Sequence, residues 1–280
     1  MRKGYALVFL AASMWGTLGI FAKLLYGYNL DPFTIVFFRA STAFFLLLLY
    51  NNFRDDLNLK KDKLKFYAFY GFFSVFLFYV LYFYAVKLSS VSLAVLLLYT
   101  APIYSTIMGY LIFKERITPM KLASLGMVLV GVLFVTELNG SVNIVGIILG
   151  LLSGFTYALY GILGKIAVRE ESPGEALMYT LGFGTLFLLP FTKFSIPMGA
   201  IPYLVALGVF PTFLAYLMYN HALRDIEASR ASIVATVEPV VALILAYLIF
   251  HEVLSMRQIF GASLIIFGAL LLQYEESISK

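Results

Sequence analysis

ASRASIVATVEPVVALILAYLIFHE, residues 228–252, decides how the rest of the chain is read. It is apolar enough and long enough to cross a hydrocarbon core about 30 Å thick, yet it carries a carboxylate and a helix-breaker, Glu238-Pro239, at its middle. An earlier stretch, residues 91–115, VSLAVLLLYTAPIYSTIMGYLIFKE, repeats its plan. Both place Ser and Ala near the start, Pro at the centre and Tyr-Leu-Ile-Phe-x-Glu at the end. Paired broken helices at matching places in two halves of a membrane protein point to a solute-binding site between the halves.

The 280 residues are 62% hydrophobic and 12% charged, with a mean hydropathy of +0.93. Soluble domains run at about 45–50% apolar and 25% charged, so the chain is read as an all-α integral membrane protein. A β-barrel would need short alternating segments, and these are long and continuous. The net charge of +5 does not call for nucleic acid, because the positive charges fall in short loops between apolar runs. No cysteine is present and the two histidines, His221 and His251, are too few for a metal centre, so neither cofactor nor metal is expected. The first apolar run has spanning length and no small-residue cleavage site, so it is expected to stay in the mature protein.

Ten transmembrane helices are expected, at roughly 5–26, 32–51, 65–86, 91–113, 119–136, 144–167, 174–192, 201–221, 229–250 and 256–274. Lys and Arg then set the orientation. With the N-terminus inside, fifteen basic residues lie on the cytoplasmic side, among them Lys60 and Lys280, and four outside, Lys23, Lys87, Lys193 and Arg257; Arg39 lies within a span. This asymmetry predicts a multi-pass protein of the cell membrane with both termini cytoplasmic.

A shift of 137 aligns Gly71, Phe76, Tyr79, Tyr82 and Ala85 with Gly208, Phe213, Tyr216, Tyr219 and Ala222. The same shift aligns Ser92, Ala94, Pro102, Tyr110, Glu115 and Gly131 with Ser229, Ala231, Pro239, Tyr247, Glu252 and Gly268. Upstream a shift of 142 pairs Gly4, Trp15, Gly19 and Lys23 with Gly146, Tyr157, Gly161 and Lys165. Chance similarity between apolar helices does not match Pro, Gly, Tyr and Glu together. The chain therefore divides into two five-helix repeats, 1–140 and 141–280. An odd helix count makes the second repeat enter from the opposite side, so the two are inverted.

Trp15-Gly16 and Lys23 in the first helix, Arg39 in the second, Pro102 with Glu115, Glu238-Pro239 with Glu252, and Gly131 with Gly268 resemble the EamA-type transporters of the drug/metabolite transporter superfamily. The resemblance covers essentially the whole chain. It implies a membrane carrier, in a family of which many members export amino acids or other small metabolites, and leaves the cargo open. Ala101 stands where the repeat would place a partner for Glu238, so the halves differ chemically at the site.

Glu238 is the sharpest candidate. A carboxylate at mid-span costs about 2.5–3.5 kcal/mol by insertion scales and is functional by default. It either meets a substrate ammonium, exchanges protons with a gradient, or packs as a neutral acid against a neighbouring helix. Arg39 either captures a carboxylate, pairs with Asp31 or snorkels outward. Trp15 and Tyr157, with Tyr79, Tyr82, Tyr99, Tyr216 and Tyr219, are candidates for an aromatic cavity wall that binds by area and by cation–π attraction. Pro102 and Pro239 are candidate hinges, since each frees a carbonyl one turn back. Lys23 and Lys165 are candidate gates or snorkelling helix ends. His221 and Asn220 are read as caps of the eighth helix, and Glu115 and Glu252 as structural. Gly146, Gly150 and Gly154 are read as an internal packing face in preference to a dimer seam, which leaves a monomer or weak dimer.

The expected function is that of a carrier, not an enzyme, moving small organic solutes by alternating access around a midplane cavity. Amino acids or related metabolites are the favoured cargo, export the favoured direction and protons the candidate coupling ion; membrane lipid is the other partner. The alternatives are a multidrug or organic-cation exporter, a channel, an intramembrane enzyme or a lipid scramblase.

Overall fold

The computed structural model describes residues 2–54, 61–136, 143–251 and 253–278. Lys60, Glu252, Lys280 and the 140/141 repeat boundary lie outside the described residues. Among the described residues ten helices follow in order: α1 Lys3–Tyr26, α2 Pro32–Phe53, α3 Leu64–Leu88, α4 Val91–Phe113, α5 Pro119–Val135, α6 Ile144–Ala167, α7 Pro173–Phe191, α8 Met198–Asp225, α9 Ala228–Phe250 and α10 Met256–Ile278. Nine are long and apolar enough to span a membrane, and α5, with 17 residues, is shorter at about 26 Å for a 1.5 Å rise. Outward-facing Phe45, Leu111 and Phe267 are all more than half exposed, as lipid-facing residues are. α8 and α10 run past the expected ends at 221 and 274, to Asp225 and Ile278.

Local chemistry starts the helices where the sequence places them. Asp31 caps α2 by accepting the Thr34 amide at 3.1 Å, with Pro32 in the first turn. Ser90, Thr118, Asn143 and Ser172 cap α4, α5, α6 and α7 in the same way. α9 has no such cap of its own, since the Glu227 side chain does not serve it.

The interruptions follow the repeat. α4 breaks at Tyr99–Thr100 and α9 at Thr236–Val237, one turn or less before Pro102 and Pro239. α3 and α8 widen into π-helical turns at Phe72–Leu77 and Val209–Leu214, which are equivalent under the shift of 137. Lys114 and His251, equivalent again, end α4 and α9 in the left-handed region at φ 58° and 54°. One break has no counterpart. α1 is interrupted at Gly16–Thr17, while α6 runs unbroken through Ala158–Leu159. At all three breaks a threonine hydroxyl bonds the carbonyl three residues back: Thr17 to Met14, Thr100 to Leu97 and Thr236 to Ile233.

Packing obeys the same exchange of halves. α3 and α4 pack on α6, and α8 and α9 pack on α1. α2 meets α8 as α7 meets α3, while the pairs α2–α7 and α5–α10 are equivalent to themselves. The helices thus form two interleaved bodies, α3–α4–α6 and α8–α9–α1. Gly146, Gly150 and Gly154 face inward. A Cβ there would meet Ser89, Leu97 and Thr100, so this stripe seats α6 against the α3–α4 turn and α4.

Candidate functional site

The exchange of halves fails in one place, and that failure makes the site. The first half of α9, Ala228–Ala235, packs against the second half of α4, Ala101–Phe113. The reciprocal pair, Val91–Leu98 against Glu238–Phe250, has no comparable contact. Likewise α6 touches α8 and α9, whereas α1 makes no comparable contact with α3 or α4. The bodies are closed at one face and parted at the other, and a cavity of about 900 Å³ enters from the parted face.

Its floor lies where the helices are interrupted. Trp15 and Gly16 come from the break in α1, Tyr99 from that in α4, and Glu238 and Pro239 from that in α9. Tyr79 and Tyr82 follow the π turn of α3, Tyr216 follows that of α8, and Tyr157 enters from α6. Arg39 comes from α2 and Lys23 from α1. All of the candidate binding residues except Tyr219 therefore line one cavity, with Pro239 and Lys23. Pro102 and Lys165 do not line it. Both sit on the closed side, and Pro102 is buried. Tyr219 stands behind the wall, its ring 5.3 Å from that of Trp15.

Glu238 is the single carboxylate among the lining residues described. It opens the second segment of α9 and is partly exposed to the cavity, whose wall it shares with Tyr99. Arg39 is 6% exposed, and its Nε donates to Thr212 Oγ1 at 3.0 Å. Thr212 in turn donates to Leu207 O at 2.8 Å, inside the π turn of α8, so an irregular backbone holds the guanidinium in place. The Tyr79 ring lies 5.9 Å from its Cζ. Arg39 and Glu238 line the same cavity, and no ion pair joins them. A base and an acid that share a cavity without pairing can each meet a complementary group of a ligand.

Three readings of single residues need correction. Asp31 spends its carboxylate on the α2 cap, accepting the amide and hydroxyl of Thr34, and does not pair with Arg39. Asn220 and His221 do not cap α8, which continues to Asp225; Asn220 Nδ2 bonds Tyr160 at 2.6 Å and Tyr216 O, and His221 Nδ1 faces Leu217 O. Lys165 does not snorkel, because its Nζ donates to Leu223 O and Ile226 O at 2.7 and 2.5 Å.

Other lining residues escaped the sequence. Tyr26 and Lys87 fall at helix ends, where interfacial anchoring is the ordinary reading. Phe33, Phe78 and Phe83 look like lipid-facing or core phenylalanines. Phe78, Tyr79, Tyr82 and Phe83 share one side of α3 by their i, i+3 and i+4 spacing after the π turn at Phe72–Leu77. The Trp15 indole N–H is buried with no protein partner, beside the cavity that its ring lines.

The profile of the EamA-like transporter family matches this chain twice, over residues 2–137 and 144–274. A relative in Archaeoglobus fulgidus, named an uncharacterized transporter, is 30% identical over 97% of this chain and 96% of its own. A Salmonella typhimurium protein named a probable amino-acid metabolite efflux pump is 29% identical over 63% of this chain and 65% of its own. A crystal structure with 17% identity superposes with a TM-score of 0.84 over 97% of this chain and 96% of that one, which is a likeness of fold.

Proposed function

The chain belongs to the EamA-like transporter family, and from that premise we propose that it carries amino acids or related small metabolites across the cell membrane by alternating access. Residues 1–140 and 141–280 form the two inverted repeats. With both termini cytoplasmic, as the basic residues favour, the cavity mouth at Lys23, Tyr26 and Lys87 opens outward. The observation that carries the reading is the placing of Arg39 and Glu238 in one aromatic cavity with no ion pair between them. Arg39 takes a carboxylate, Glu238 takes an ammonium, and the tyrosines and Trp15 cover the remainder of the solute. The name of the Salmonella relative agrees with export and with an amino-acid cargo. Glu238 is also the group through which a proton would be exchanged for the solute.

The test is uptake of labelled amino acids into proteoliposomes, with and without an imposed pH gradient, for wild type and Glu238→Gln. Saturable uptake that answers to the gradient in wild type alone supports the reading in full. Uptake that ignores both the gradient and the substitution removes Glu238 from coupling. A second reading, export of organic cations, draws on Glu238 being the single acid in an aromatic wall. It predicts that lipophilic cations compete and zwitterions do not.

A further inference from the structure

The closed face is held by side chains of one body gripping the backbone of the other. Glu115, just beyond the end of α4, is 6% exposed. Its carboxylate accepts the amides of Ala228 and Ser229 at 2.9 and 3.3 Å, and the Ser229 hydroxyl as well. It thereby supplies, from across the interface, the N-terminal cap that α9 lacks of its own. Lys165 of α6 donates to the carbonyls of Leu223 and Ile226 at the end of α8. An acid on the amide end of α9 and a base on the carbonyl end of α8 clamp the turn between them, each charge matched to its helix terminus. Both side chains belong to α3–α4–α6, and everything they hold belongs to α8–α9–α1.

The pocket for the carboxylate is shaped for it. A Cβ on Gly109 would fall 2.5 Å from Glu115 Oε2, so the glycine admits the acid. Lys121, 1% exposed, stands 3.8 Å from the same oxygen and 2.6 Å from Glu227.

The repeat gives the parted face its counterpart. Lys23 is equivalent to Lys165, and the carbonyls of Val86 and Ser89 are equivalent to those of Leu223 and Ile226. Lys23 makes no such bond here. Its ammonium sits 3.7 Å from the centre of the Phe250 ring, within its own body, at the cavity wall. We propose that Glu115 and Lys165 latch the closed face and that Lys23 is the opposing latch, taking the carbonyls of Val86 and Ser89 when the parted face closes. The transport cycle exchanges one grip for the other. This rests on the alternating-access reading above and assigns Glu115, Lys165 and Lys23 as residues that set its conformational balance.

The absence of cysteine allows a direct test. Val95 lines the cavity, and its repeat equivalent Ser232 is buried on the closed side. Single cysteines, Val95→Cys and Ser232→Cys, report which face is open by their labelling rates with a charged thiol reagent in proteoliposomes. Glu115→Gln, Lys165→Gln or Gly109→Ala should speed labelling at Ser232→Cys at least about tenfold, the factor that one charge-assisted hydrogen bond represents. Labelling at Val95→Cys should slow correspondingly. Lys23→Gln should move both reporters the other way. Gly109→Ala leaves every charge in place, and it carries the test if either charge variant fails to elute as a folded species. Reporters that respond to added solute in the wild-type background but stay unmoved by these substitutions would overturn the latch alone. Reporters that never change accessibility even in that background would overturn alternating access, and the latch with it.

Discussion

Arg39 shows how much a single side chain depends on a partner that sequence distance hides. Asp31, eight residues earlier, is the nearest acid along the chain, but the helix N-terminus beside it claims its carboxylate first. Thr212, 173 residues away, holds the guanidinium instead. The consequence is a positive charge directed at the cavity with its fork geometry intact. Arg39→Lys should therefore raise the apparent KM for zwitterionic solutes by roughly tenfold or more, because an ammonium cannot hold a carboxylate bidentately. Analogues whose carboxylate is converted to an amide should lose far less. Competition assays with matched acid and amide pairs measure this, and equal losses for both would contradict the assignment. The place of Glu238 in the cavity was legible from its depth and its proline. The role of Glu115 was not, since a terminal acid ordinarily belongs to the interface, and only the fold brings it to an uncapped helix.

At the scale of elements, the sequence carried the helices and the two proline breaks but not the π turns or the break in α1. Pro102 and Pro239 announce themselves because each removes a backbone donor. The π turn of α8 holds Pro211, but its partner in α3 holds Ser74 at the equivalent place, so nothing local marks the pair. Tight helix contacts are clearer. Gly131 and Gly261 bring α5 and α10 together so closely that a Cβ on either would lie 2.7 or 2.6 Å from the other's carbonyl. Gly126, on the same α5, has nothing within 4 Å. Gly131→Ala should cost about 1–3 kcal/mol through overpacking against rigid backbone. Gly126→Ala should be stabilising by about 0.5–1 kcal/mol, as alanine is the better helix former. Thermal unfolding of the two variants in detergent compares them directly. A loss at both positions, or at neither, would contradict the α5–α10 contact.

The whole molecule is two copies of one plan that obey their symmetry nearly everywhere. That symmetry was legible in Pro, Gly, Tyr and Glu at fixed shifts. The asymmetry was not, because it arises from which face is closed, and the repeat carries matched residues such as Lys23 and Lys165 to both faces. The cavity exists only because α1 makes no contact with α3 and α4 to match that of α6 with α8 and α9. On the proposed alternating-access reading the site is exposed to one side at a time, so solute on the far side should speed its return. The measurement that tests this most directly is counterflow in proteoliposomes loaded with unlabelled amino acid and diluted into a trace of the labelled one. The account predicts a transient accumulation of label above its outside concentration, absent from unloaded vesicles. Label that only equilibrates, at a rate indifferent to what is inside, would describe a pore and contradict the carrier.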